Sequence, residues 1–224
     1  MRSLVLSLVL ALSLPAAAPV TAQVSDGKPQ ACAQSGDPFD RAEIAQERAA
    51  ERERYRKNGA NVARYDDTLR LVLDGGKTLE LVDCPYGDTG YLYLYERFDE
   101  GGPFYVIRTP GHEDLSYTLA MKSSGKLFTV YGAPVWAQDK SRFLTVACSL
   151  LPERSTLSVL RPAGEGLVTE AEIDLPCALE SCSARWDFQT WISISCAPRD
   201  DTARRGTEFV MMRGNDGAWK KFGR

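Results

Sequence analysis

Between Thr68 and Leu81 the apolar residues fall on every second position, and this alternation constrains the chain more than any other feature. Leu69, Leu71 and Leu73 share one face of an extended segment, Asp74-Gly75-Gly76-Lys77 turns, and Leu79 and Leu81 resume the pattern. Glycines supply the positive φ that a tight turn needs, so the segment predicts a hairpin. A hairpin with one apolar face is not stable alone in water. It needs neighbours of its own kind.

The rest of the chain supplies them. Leu119-Ala120-Met121, a turn at Ser123-Ser124-Gly125 and the run LFTV form a second hairpin pattern. Leu157-Ser158-Val159-Leu160, a turn from Pro162 to Gly166 and LVTEAEI form a third. Each hairpin is followed by an aromatic segment, an aspartate and a further strand. These segments are YLYLYERF after Asp88, Pro134-Val135-Trp136 with Asp139 and the run Phe143 to Cys148, and Ala184-Arg185-Trp186 with Asp187 and the run from Trp191. The leading leucine and the aspartate lie 19, 20 and 30 residues apart in the three units, so the third is enlarged. FVMM (209 to 212), the turn Gly214 to Gly217 and Trp219 repeat only the hairpin half. On this pattern Trp136 is a core residue, and Asp88, Asp139 and Asp187 are equivalent turn formers.

The segment PVWAQDKSRFL resembles the P-x-W-S-P-D-G-x-x-L stretch of WD-type and TolB-type β-propeller blades. Pro134, Trp136, Asp139 and Leu144 carry the likeness, while Ala137 and Gln138 replace the usual Ser-Pro and no glycine follows Asp139. The resemblance implies a mainly β fold of repeated hairpin-plus-strand units, as a propeller or an incomplete propeller. A twisted meander folded into a β-sandwich is the alternative. Blades of this kind serve many functions, so the resemblance implies none in particular.

Ahead of the repeats, residues 1–22 read as a signal peptide. Arg2 gives a positive start, Leu4 to Leu14 is an apolar run too short to span a bilayer, and Val20-Thr21-Ala22 sets small residues before a cut at Gln23. Residues 23–66 form a linker and one charged helix, and residues 67–224 the β-repeat domain. Asp37, Pro38 and Asp40 suit a helix start, and Asn58-Gly59 a stop. Ile44 and Tyr55 are the helix's only large apolar residues after Phe39. Pairs Glu51 with Arg54 and Glu53 with Lys57 fit helical spacing. A helix this charged is expected to lie solvated on its own domain.

All six cysteines follow the leader, which points to three disulfides in a periplasmic or secreted protein. Cys177 and Cys182 bracket the enlarged loop and are expected to pair. Cys148 and Cys196 each lie five residues after the aromatic that opens their strand, and are paired by that equivalence. Cys32 and Cys84 remain for each other.

The charge of −3 over 224 residues gives no support for a nucleic-acid partner. No run after the leader is long enough for a membrane span. The single histidine, His112, limits acid–base and metal chemistry, and its neighbours Glu113 and Asp114 suit a surface loop. The carboxylate pairs Asp66-Asp67, Asp99-Glu100 and Asp200-Asp201 read as solvated turn acids. No catalytic residue, metal site or cofactor is assigned. The candidate binding residues are Trp186, Asp187, Phe188 and Trp191, with Tyr91, Tyr93 and Tyr95 beside them as a further aromatic set. Aromatics beside polar groups stack on sugars or anchor protein partners. The competing reading places them in the core between sheets, except Phe188, which falls where a polar turn residue is expected. The expectation is an exported β-repeat protein that binds another macromolecule without catalysis. The alternatives are a module that binds or cleaves cell-envelope glycan, and an inhibitor of an external hydrolase.

Overall fold

The computed structural model describes residues 32, 39–56, 61–86, 90–98, 102–111, 115–148, 155–175, 182–196 and 207–223. Helix α1 (Arg41–Arg56) is followed by strands grouped, in chain order, into four antiparallel sheets. The first sheet holds β1 (Val62–Tyr65), β2 (Thr68–Val72) and β3 (Thr78–Val82). The second holds β4 (Leu94–Phe98), β5 (Phe104–Pro110), β6 (Leu115–Met121) and β7 (Leu127–Tyr131). In the third are β8 (Val135–Trp136), β9 (Phe143–Ala147), β10 (Thr156–Ala163) and β11 (Gly166–Asp174). The fourth is built from β12 (Cys182–Phe188), β13 (Trp191–Cys196), β14 (Thr207–Arg213) and β15 (Trp219–Gly223). Each sheet is a simple meander. The described residues are mainly β with one α-helix, and no helix among them is long and apolar enough to cross a membrane.

The expected hairpins all form, but the repeat has a different phase. Each expected unit joined a hairpin to the strand after it. In the structure that hairpin is the second half of one sheet, and the aromatic segment opens the next. The alternation that marks a hairpin says nothing about where a sheet begins. Strand β1, in the stretch assigned to the linker, was not expected. It pairs with β2 through a turn in which Asp66 takes φ 49°, while Gly75 and Gly76 take φ 78° and 80° in the expected β2–β3 turn.

Three apolar cores join neighbouring sheets. Leu69, Leu71 and Leu81 of the first sheet meet Tyr95, Tyr105 and Ile107 of the second. Phe104, Leu119 and Phe128 of the second meet Phe143 and Leu160 of the third. Leu144, Leu157 and Val159 of the third meet Ile192, Ile194, Phe209 and Met211 of the fourth. Trp136 packs on the middle core, 4.9 Å from the Phe143 ring, as its place in the repeat predicts. Among the described residues no such core joins the fourth sheet to the first. The outward faces of these two sheets therefore end the stack.

Helix α1 starts at Asp40, whose Oδ1 accepts the Ala42 N–H at 2.7 Å; Asp37 and Pro38 lie outside the described residues. The helix rests on β4 chiefly through charge. Glu51, wholly buried, turns away from its own helix and accepts Arg64 Nε at 2.5 Å, Arg64 Nη2 at 3.0 Å and the Tyr95 N–H at 2.7 Å. Asp83 accepts Arg48 Nη2 at 3.0 Å, Arg64 Nη1 at 2.9 Å and the Tyr93 N–H at 2.8 Å. Burial pushes the Asp83 carboxyl above its ordinary value, against the pull of Arg64, the Tyr93 N–H and Arg48. The pairing of Glu51 with Arg54 gives way because Arg64 on β1 offers two parallel bonds in a dry setting. Glu53 pairs with Arg56 at 2.9 Å, and Lys57 lies outside the described residues. Tyr55 joins the first core, so the helix is docked rather than merely solvated.

One bulge interrupts each four-stranded sheet, and each inserts an acidic residue: Glu96 in β4, Glu170 in β11 and Asp187 in β12. A bulge leaves its extra residue outside the ladder and re-aims the side chain. Each of these carboxylates meets arginine: Glu96 meets Arg54 and Arg108, Glu170 meets Arg142, Arg161 and Arg213, and Asp187 meets Arg185.

Cys32 and Cys84 are bonded as expected, with Cα atoms 5.4 Å apart. Cys148 is bonded to Cys182, Cα to Cα 6.2 Å, and not to Cys196. This also removes the expected Cys177–Cys182 pair; Cys177 itself lies outside the described residues. Equivalent positions in successive sheets are not neighbours. Cys182 faces Cys196 across the β12–β13 ladder, but β12 is the strand that lies against β9, so Cys182 is the one within reach. Cys196 is itself disulfide-bonded.

Candidate functional site

The fourth sheet has one covered face and one free face. Alternation along β13 sends Ile192, Ile194 and Cys196 into the core and leaves Trp191, Ser193 and Ser195 on the other side. Register carries the division across the sheet. Trp191 lies opposite Met212, Ser193 opposite Val210, and Val210 opposite Phe222. On β12, Trp186 is paired with inward Ile192, and Phe188 with outward Trp191.

Between them sits the bulge residue Asp187. It was expected to form a turn, yet it belongs to β12, and the turn is Gln189-Thr190. Phe188 likewise ends the strand instead of entering the turn. Its ring stands 5.8 Å from Trp191, edge to face, and the two are 68% and 40% exposed. Asp187 accepts the Ser193 hydroxyl and, at 3.1 Å, Arg185 Nε. The Ser193 bond, helped by Arg185, holds the Asp187 carboxyl below its ordinary value and keeps it ionised. A carboxylate so fixed orients and recognises; it is poorly suited to exchanging a proton near neutral pH. Beside it lies a cavity of about 460 Å³ whose outward lining is Ser183, Arg185, Ser193, Ser195, Glu208 and Val210.

Three of the four sequence-derived binding residues, Asp187, Phe188 and Trp191, thus meet on one surface. Trp186 does not. It faces the third sheet, donates Nε1–H to the Val135 carbonyl at 2.8 Å, and packs edge to face on Trp219 at 5.9 Å. The tyrosine set divides as well: Tyr95 is fully buried, whereas Tyr91 and Tyr93 pair at 5.1 Å. Burial raises the Tyr93 hydroxyl above its ordinary value, with the neighbouring Tyr91 adding to the effect. No family model, curated protein or solved structure matches this chain. The site is read from its geometry alone.

Among the described residues no group of histidine, cysteine, aspartate and glutamate is arranged to hold a metal ion. His112, Asp99-Glu100 and Asp200-Asp201 lie outside the described residues. Asp67 is engaged by Arg48 at 2.5 Å. Sequence reasoning missed Arg185, Val210, Met212 and Phe222, the remainder of the free face. The alternation W-I-S-I-S-C from 191 to 196 carried the signal, since it sets Trp191 on the serine side, away from the isoleucines.

Proposed function

We propose that the chain is an exported β-repeat protein whose four sheets form an incomplete propeller, and that it binds another protein through the free face of the fourth sheet. No catalytic step is assigned to it. The disulfides, among them Cys32–Cys84 and Cys148–Cys182, suit an oxidising compartment, either the periplasm or the exterior. The propeller reading is supported by meanders that follow one another in chain order, each packed on the next.

The observation that carries the binding reading is the exposed Phe188–Trp191 pair. Aromatic rings are costly to leave in water, and a pair of them beside an arginine has the composition of an interface hot spot. The test is affinity capture from an envelope extract with the native protein and with Phe188→Ala/Trp191→Ala. A partner held by the native protein and lost by the double variant supports the reading; equal capture by both ends it. The second reading, binding of a cell-envelope glycan, is favoured by the ionised Asp187 next to the rings, since sugars take both stacking and hydrogen bonds. Glycan binding that Asp187→Ala/Trp191→Ala abolishes would select it.

A further inference from the structure

On the covered side of the fourth sheet, at the mouth of the gap it forms with the third, three arginines surround one carboxylate. Arg142 comes from the turn before β9, Arg161 from β10, Arg213 from the end of β14, and Glu170 is the bulge residue of β11. Arg161 Nε reaches Glu170 Oε1 at 3.1 Å, a hydrogen bond. Arg142 Nε and Arg213 Nε stand 3.6 and 3.8 Å from Oε2, and neither makes a hydrogen bond. Trp219, the register partner of Arg213, also keeps a buried indole N–H without an acceptor.

The charge does not balance. Three guanidinium groups face Glu170 and, through charge on Arg142, Asp139, so a surplus of one positive charge remains in a chain whose net charge is −3. Asp139 is oriented by Ser141, which carries no charge, and Asp216 is paired with Lys220 and the Ala218 N–H. Glu165, exposed in the β10–β11 turn, is the other acid near this end. Gathering like charges is unfavourable unless something offsets them. Guanidinium forks match the oxygens of carboxylates and phosphates. The geometry points to an anion-binding site at Arg142, Arg161 and Arg213, taking an oxyanion. Glu170 lies within the ring of arginines, where it spaces them and competes with the ligand. The site faces away from Phe188 and Trp191, so it stands or falls independently of the proposed binding face.

The test is the thermal unfolding midpoint of the leaderless protein in inorganic phosphate, sulfate or malonate, against sodium chloride at equal ionic strength. A ligand that binds only the folded state raises the midpoint in a saturable way. Native protein is expected to gain stability in at least one oxyanion beyond chloride. A response to malonate alone assigns the site to carboxylates; one to phosphate and sulfate alone assigns it to tetrahedral anions. Arg161→Gln, at a side chain 42% exposed, is expected to fold and to weaken the response several-fold. Glu170→Gln is expected to lower the midpoint without oxyanion yet strengthen the response, because the competing carboxylate is gone. A purely structural cluster predicts no such gain. Superimposed oxyanion and chloride curves for the native protein, or an undiminished response in Arg161→Gln, overturn the site. Should Glu170→Gln fail to fold, titration calorimetry of native protein and Arg161→Gln with phosphate and malonate decides in the same terms.

Discussion

The molecule contains two ion clusters where its elements pack together, and they are built on opposite plans. Near the N-terminus, Glu51, Asp83 and the more exposed Asp67 face Arg48 and Arg64, three acids against two arginines. Their contacts run from 2.5 to 3.0 Å, and two backbone N–H groups complete the set. Between the third and fourth sheets, Glu170 faces three arginines, and only one contact reaches hydrogen-bonding distance. Taking a charge out of water costs several kcal/mol unless partners replace its hydration. The first cluster replaces most of it, leaving Arg48 Nε without a hydrogen-bond acceptor. The second leaves donors and charge unspent, which suits a place meant to receive something.

The sharpest way to break this contrast is to remove the central carboxylate of each. Glu51→Ala strands Arg64 and the Tyr95 N–H in a dry interior, and is expected to cost about 3–5 kcal/mol in urea unfolding. Opening the Cys148–Cys182 bond by double substitution to serine releases a constraint across 34 residues. It should cost about 3–4 kcal/mol, mostly by freeing the unfolded chain. Glu170→Ala, with partly exposed partners and one hydrogen bond, is expected to cost only about 1 kcal/mol. A loss as large as that of Glu51→Ala would erase the distinction between the clusters.

The smallest effect concerns Asp187, depressed by Ser193 and Arg185 and more exposed than Glu51, Asp83 or Glu170. A carboxyl whose folded-state pKa is lowered adds stability above its unfolded value, near 3.8, and that stability disappears as pH falls through the folded value. Asp187→Asn should therefore cost well under 1 kcal/mol at neutral pH. The difference from native protein should shrink as pH falls below the ordinary carboxyl range and vanish once Asp187 is protonated in the folded state. A difference that persists in acid would mean that the side chain acts through its shape and not its charge.

Much of the architecture was legible because period-two alternation is a direct consequence of burying one face of a strand. Leu69, Leu71, Leu119 and Leu157 all occupy the core that this pattern assigns them. What the pattern hides is anything that departs from period two. The bulges at Glu170 and Asp187 shift the register by one residue, which is why Asp187 read as a turn and Phe188 as an anomaly. Sequence distance also conceals how charges converge. Arg142, Arg161 and Arg213 are far apart in sequence, and only the sheets bring them round one carboxylate. The expected Cys148–Cys196 and Cys177–Cys182 pairs failed for a related reason, since likeness of position within a repeat differs from nearness in space. Cys148 required knowledge of which strand lies against β9.

The grip of α1 on β4 has a consequence for the behaviour of whole molecules. Tyr93 and Tyr95 lie at the bare margin of the second sheet, and their amides are occupied only by carboxylates from outside it, Asp83 and Glu51. A molecule whose helix has let go loses Glu51 and offers the Tyr95 amide to any extended chain that passes, including another copy of itself. The charged helix is in that sense a guard against clumping. Its worth is set less by how tightly it holds than by how rarely it leaves.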